Sequence, residues 1–197
     1  RPVLSYGFSD SADVKASNVS QNKMKMTFDV SCTKYQKSFP VSLNLIGRHN
    51  ILNALAAISV AIELDIKLDV IQKALSHFSG VSRRLDYHQK LSINTQQVPL
   101  FDDYGHHPNE ISEVISTLRN TYPDKRLVVI FQPHRYSRTR DLFNEFVSSL
   151  SKVDALVLLN IYSANEAPIN TISSSTLADS IRRRSSIDPI VAKDIAE

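Results

Sequence analysis

The chain has 197 residues, 42% of them hydrophobic and 22% charged, with a net charge of +3, the make-up of an ordinary globular protein with no chain-wide basic face for nucleic acid. Cys32 is the single cysteine, so an internal disulfide is excluded and a reducing compartment is expected. No apolar run reaches about 18 residues, so no transmembrane helix is expected, and the start RPVLSYGFSD, with neither leader nor Met, looks like an interior cut in a longer protein.

Residues 13–46 read as three strands, DVKASNVSQ, KMKMTFDVSC and KSFPVSLNLI, with a turn near Gln21–Asn22. They predict an antiparallel meander in which Cys32 is a small core or edge residue. At Gly47 the period changes. In RHNILNALAAISVAIELD, Ile51, Leu52, Leu55, Ile58 and Ile62 mark one helical face, and the alanines between them predict packing on both sides. A second helix, LDVIQKALSHF, follows, with Asp69 as its expected cap and Gly80 as its stop. GVSRRLDYH reads as a linker.

Strand-like 87–95 and 97–102 then lead to a helix over 108–120. Strand 126–132, helix 139–152, strand 154–162, helix 174–184 and a short strand PIVAK follow. Strands alternating with helices at this spacing imply right-handed crossovers. The expected fold class is α/β: a Rossmann-like, mostly parallel sheet with flanking helices, preceded by an antiparallel strand meander and two helices. Residues 1–82 and 83–197 are the expected domains. The second is expected to be truncated, because AKDIAE offers no further strand or helix.

Four segments carry chemistry. FDDYGHHPNE, residues 101–110, concentrates acids and histidines between a strand's carboxyl end and a helix opened by Pro108, where open α/β sheets bind ligands. Asp turn chemistry and a histidine cap explain one or two of these residues, but not six in succession. Adjacent His106 and His107 point in different directions on most backbones, so metal binding by this loop alone is not expected. In FQPHRYSRTRD, Arg135, Arg138 and Arg140 crowd the amino end of the next helix against its dipole, which suggests an anionic ligand held by planar guanidiniums. Arg182–Arg184, at a helix's carboxyl end, read as a solvated face. In GRHNILN, Asn50 or Asn53 either ties down the strand end or recognises a heterocycle's polar edge, and the residues leave both readings open. Arg83–Arg84 alone is indistinguishable from surface charge.

In this order, GRHNILNALAA, GVSRRL, DDYGHHP and FQPHRYSRTRDL, with YGFSDSADV near the start and YSANEAPI after a parallel strand, resemble the Mur ligases. These are ATP-dependent amide-forming enzymes of peptidoglycan precursor synthesis. The resemblance covers nearly the whole chain and, within the family, points to members that join L-alanine to UDP-N-acetylmuramate. It implies ATP and Mg2+ as cofactors, with the magnesium ligands in a missing upstream segment, and UDP-N-acetylmuramate and L-alanine as substrates in the bacterial cytoplasm.

The resemblance also implies roles for residues. His49, Asn50 and Asn53 would lie near adenine, Arg84 would reach toward the ATP phosphates, and Asp103 would hold the nucleotide's ribose or hinge side. Tyr104 and His106 would face the amino acid, with Arg135 and Arg138 on carboxylates; His106, Arg135 and Arg138 form the expected catalytic set. The implied chemistry is an acyl phosphate on the muramoyl carboxylate, attacked by the L-alanine amine. With only Gly7, Gly47, Gly80 and Gly105, the sequence holds no G-x-x-x-x-G-K-[ST] loop, so the piece is expected to be inactive alone. The alternatives are a stand-alone nucleotide or acidic-metabolite binding module without catalysis, and a nucleic-acid-binding α/β protein.

Overall fold

The computed structural model describes residues 3–35, 38–93 and 95–192. Two compact units, Arg1–Asp102 and Asp103–Glu197, divide the chain.

In the first unit, β1 (Tyr6–Gly7), β2 (Val14–Asn22), β3 (Lys25–Cys32) and β4 (Phe39–Leu43) form one sheet in that order. β2, β3 and β4 are the expected antiparallel meander. β1 is an addition: it pairs parallel to β2 through Tyr6 and Val14, and two residues are too few to show a period in sequence. Alternate residues of the meander are buried, among them Val14, Met26, Phe28, Val30, Cys32, Val41 and Leu43. The free thiol of Cys32 is thus a core group.

Helices α1 (Arg48–Glu63) and α2 (Leu68–His77) pack on this sheet. α1 buries Ile51, Leu55, Ile58 and Ile62, but its other face, with Asn53, Ala57 and Val60, is exposed. The expectation of packing on both sides is therefore corrected. Alanine favours the helix without needing a partner, so its abundance did not signal a second layer. Asp69 is also not the cap of α2: the cap position is Lys67, and Asp69 lies inside the first turn, where its charge suits the dipole. β5 (Asp86–Ile93) and β6 (Gln96–Asp102) form a separate two-stranded antiparallel hairpin in this unit. The loop after β6 thus leaves a hairpin and not, as expected, a strand of the parallel sheet.

In the second unit, β7 (Val128–Phe131), β8 (Ala155–Leu159) and β9 (Ile190–Ala192) form a parallel sheet in chain order. Helices α3 (Pro108–Thr121), α5 (Phe143–Leu150) and α6 (Ser174–Arg184) supply Ile111, Phe146, Leu150, Leu177 and Ile181 to a core shared with Phe131, Leu156 and Leu158. The helix expected over 139–152 is two: α4 (Tyr136–Asp141) and α5, joined at Leu142 (φ −114°, ψ 26°). Leu142 N–H still donates to the Arg138 carbonyl at 3.0 Å, and its own carbonyl accepts from Phe146 N–H at 2.9 Å, so the chain bends there without unwinding. The solvated reading of Arg182 is also corrected. Its guanidinium pairs with Asp179 at 2.8 Å and Asp188 at 2.6 Å and donates to the Pro189 carbonyl, fastening α6 to the start of β9. Lys193, the last residue of PIVAK, the tail AKDIAE from that residue on, and Lys37 in the third strand segment lie outside the described residues. Among the described residues no helix is long and apolar enough to cross a membrane.

Candidate functional site

The loop Asp103–His107 is built by its own side chains. Asp103 Oδ1 accepts from Gly105 N–H at 2.7 Å, the expected Asp turn. His107 (φ −108°, ψ 142°) caps α3, its Nδ1 accepting from Asn109 N–H at 3.3 Å, and Pro108 opens the helix. Glu110 Oε2 reaches back to accept from the N–H groups of His106 at 3.1 Å and His107 at 3.3 Å. From α5, the buried Ser149 hydroxyl lies 3.1 Å from the Pro108 carbonyl and 2.9 Å from the Ser112 hydroxyl, fixing where the loop enters the helix. Turn and cap chemistry thus accounts for Asp103, Gly105, His107 and Glu110.

Tyr104 and His106 are left to present their rings. The two centroids are 5.2 Å apart, edge to face. His106 Nδ1 lies 3.1 Å from the Tyr104 carbonyl. A carbonyl only accepts, so the neutral ring carries its proton on Nδ1 and keeps Nε2 as an acceptor.

The second wall is the arginine loop between β7 and α4. His134 and Tyr162 form an isolated parallel bridge. Arg135 N–H donates to the Tyr162 carbonyl, and Tyr162 N–H to the Pro133 carbonyl, both at 2.8 Å. The His134 ring stands 5.2 Å from Tyr162 and 6.4 Å from His106. Arg138 Nη1 lies 3.5 Å from His134 Nδ1. Burial, followed by the charges of Arg138, Arg135 and His106, holds the His134 imidazole below its ordinary value, with Glu166 pulling weakly the other way.

The expected conflict with the helix dipole narrows to one residue. Arg138 and Arg140 occupy the last turn of the short α4, and Arg140 pairs with Asp141 at 2.8 Å. Arg135 alone precedes the helix, in a left-handed conformation with φ 73°. Beside it the Glu166 carboxylate accepts from Ser137 N–H at 2.9 Å and from the Ser137 hydroxyl at 2.7 Å. Those two bonds, followed by the positive charge of Arg135, hold Glu166 below the usual carboxylate range.

Tyr104, His106, Arg135 and Arg138 therefore belong to the second unit, along with Asp103, and the rings of Tyr104 and His106 stand near one another. His134, Tyr162 and Glu166 were not singled out from sequence, although QPHRYSRTR and YSANEAPI contain them. His49, Asn50, Asn53 and Arg84 belong to the first unit. Asn50 Nδ2 donates to the Ile46 carbonyl at 2.8 Å, tying the strand end to α1, and Asn53 Nδ2 lies 3.4 Å from Asn50 Oδ1. Arg84 lies exposed in the turn before β5; its neighbour Arg83 (φ 60°) pairs with Asp102 at 3.3 Å. Among the described residues no group of three or more His, Cys, Asp or Glu side chains is placed to hold a metal ion.

Residues 83–197 match the family model described as "Mur ligase, glutamate ligase domain", and residues 1–61 the one described as "Mur ligase middle domain". The chain belongs to the Mur ligase family. Two relatives named UDP-N-acetylmuramate–L-alanine ligase are similar over almost all of it. The one from Vesicomyosocius okutanii is 61% identical over 98% of this chain and 41% of its own length; the one from Ruthia magnifica is 62% identical over 100% and 42%. The chain thus spans about two fifths of the curated relatives it matches. A crystal structure of the Mur ligase UDP-N-acetylmuramate–alanine ligase MurC from Thermotoga maritima shares the fold, with a TM-score of 0.77 at 24% identity over 97% of this chain and 39% of that one. The Mur ligase MurF from Acinetobacter baumannii gives a TM-score of 0.68 at 19% identity, over 96% of this chain and 37% of its own.

Proposed function

We propose that this chain is part of an ATP-dependent ligase that joins L-alanine to UDP-N-acetylmuramate in the bacterial cytoplasm. The observation that carries the reading is 61% identity with a relative of that name across 98% of the chain. The rings and guanidiniums of the second unit support it, since they suit an amino acid better than a metal or a nucleic acid. In this reading residues 1–82 close the central ATPase domain and residues 83–197 form the carboxyl-terminal domain, and the chain alone does not turn over.

ATP would activate the muramoyl carboxylate as an acyl phosphate, and the L-alanine amine would displace the phosphate to form the amide. The described residues do not fit a magnesium site, so no step is assigned to that ion. Arg135 and Arg138 take the L-alanine carboxylate, where planar guanidiniums give bidentate hydrogen bonds. His106 keeps Nε2 as an acceptor because Nδ1–H is held by the Tyr104 carbonyl, so it can take a proton from the substrate ammonium. A neutral His134 accepts from Arg138 and adds no competing positive charge. His49, Asn50, Asn53, Arg84 and Asp103 form the nucleotide-facing set.

The test uses the full-length protein from the encoding reading frame. ADP release should require both UDP-N-acetylmuramate and L-alanine, and Arg138→Ala should lower kcat/KM by about 100-fold or more, the scale of a lost charge-assisted contact. ADP release indifferent to L-alanine would sink the reading, and unchanged turnover in Arg138→Ala would remove the arginine loop from it.

A further inference from the structure

The arginine loop has an unusual support. Arg135 sits in a left-handed backbone conformation at φ 73°, which is unfavourable for a non-glycine residue and persists only where the surroundings enforce it. Three connections enforce it, and all come from the chain after β8. Tyr162 supplies the first two through its backbone carbonyl and N–H. Glu166 supplies the third, its carboxylate taking both the N–H and the hydroxyl of Ser137, two residues beyond Arg135. Thr139 completes the turn from within, its hydroxyl donating to the Arg135 carbonyl at 2.8 Å.

Glu166 is half-buried: one oxygen serves each Ser137 donor, and those two bonds, followed by the Arg135 charge, favour its ionised form. A carboxylate at this point does two things that a neutral residue could not. It offsets the positive start of α4, where Arg135 stands against the dipole. It also sets the direction in which the helix leaves the loop, and hence where the Arg138 side chain emerges, one turn on.

We infer that Glu166 is a positioning residue for amino-acid recognition: it clamps Ser137 so that Arg135 and Arg138 are held ready for a substrate carboxylate. The inference rests on the reading of those arginines given above. It adds that specificity for the amino acid depends on a carboxylate in a different connection of the fold, one that need not touch the substrate.

The experiment is steady-state kinetics of the full-length ligase. Glu166→Ala should raise KM for L-alanine about 10- to 100-fold while KM for ATP and for UDP-N-acetylmuramate stays within about twofold, because only the carboxylate-binding arginines lose their frame. Glu166→Gln, which keeps one acceptor oxygen but no charge, should fall between. Ser137→Ala should raise KM for L-alanine in the wild type and have no further effect in Glu166→Ala, where the hydroxyl has already lost its acceptor. Equal rises in all three KM values would reduce Glu166 to a general structural role and overturn the inference, as would an unchanged KM for L-alanine.

A variant that fails to fold does not rescue the idea, because the wild-type chain gives a second readout. The Ser137 backbone amide resonance should titrate with Glu166 below the ordinary glutamate value of 4.5. An amide that ignores Glu166 would overturn the clamp directly. Were ADP release to prove independent of L-alanine, the reading of the arginines would fail while this titration still reported on the clamp.

Discussion

Nδ1 of His134 lies 3.5 Å from Nη1 of Arg138, and a guanidinium can only donate, so His134 meets it as a neutral acceptor. This relationship links the charge state of one ring to the pose of one arginine. The imidazole is held below its ordinary value of 6.5, first by burial and then by Arg138 and Arg135. Protonation of His134 should therefore release Arg138. In Arg138→Ala the His134 titration, followed by its ring proton resonances, should move up toward 6.5. A midpoint that does not move would show that Arg138 has no part in setting it.

The same group makes stability depend on pH. Above 6.5 both folded and unfolded chains carry a neutral His134, and it contributes nothing. As pH falls below 6.5 the unfolded chain takes up the proton first, so stability drops until the lower folded value is passed. Melting temperatures measured downward from pH 7.5 should show this decline in the wild type, and His134→Gln should flatten it. An equal slope in the variant would place the pH sensitivity elsewhere.

Gly105 is required by its neighbour. A Cβ there would sit 2.7 Å from Asp103 Oδ1, the atom that accepts from the Gly105 N–H. Gly105→Ala should cost about 1–3 kcal/mol, the scale of overpacking, by denaturant melts. In an Asp103→Ala background the same change should cost less than about 0.5 kcal/mol, because the colliding oxygen is gone. Equal costs in the two backgrounds would mean that the turn does not depend on this pair.

Asp154 joins three parts of the second unit. Its Oδ2 lies 2.6 Å from Arg119 Nη1 on α3 and 2.6 Å from the Leu127 N–H that precedes β7. Those bonds hold its carboxyl below the ordinary 3.8, with Arg119 the largest cause. The stability it adds is full above 3.8 and is lost as pH falls through the lower folded value. The pair is partly exposed, so Asp154→Asn should cost only about 1 kcal/mol at neutral pH, roughly 4–8 °C in Tm for a unit of this size. The difference from wild type should shrink in acid; a constant difference would contradict the assignment.

Much of the fold could be read from periodicity, because the meander of the first unit is buried on one face and shows its alternation plainly. The parallel strands and α3, α5 and α6 were equally readable from their apolar runs. β1 was not, since two residues have no period. Nor was the bend at Leu142, because RDLFN around it holds neither Gly nor Pro to mark a break. The site was read by residue type more than by geometry. Acids, arginines and histidines drew attention, but Asp103 makes a turn, His107 makes a cap, and Arg140 pairs with its neighbour. The residues that were overlooked, His134, Tyr162 and Glu166, act through ring contacts and main-chain bonds that join loops about 30 positions apart, and sequence spacing alone carries no trace of such pairing.

The left-handed backbone of Arg135 has a consequence for anyone who would engineer this protein. Glycine is the residue that adopts φ 73° without steric cost, so a library screened only for heat tolerance should enrich Gly at position 135. Every such winner would have discarded a guanidinium to relax a backbone. If Arg135 holds the substrate carboxylate as proposed, a campaign that monitors melting alone would thus drift toward robust proteins with a silent defect, and position 135 is the one to hold fixed.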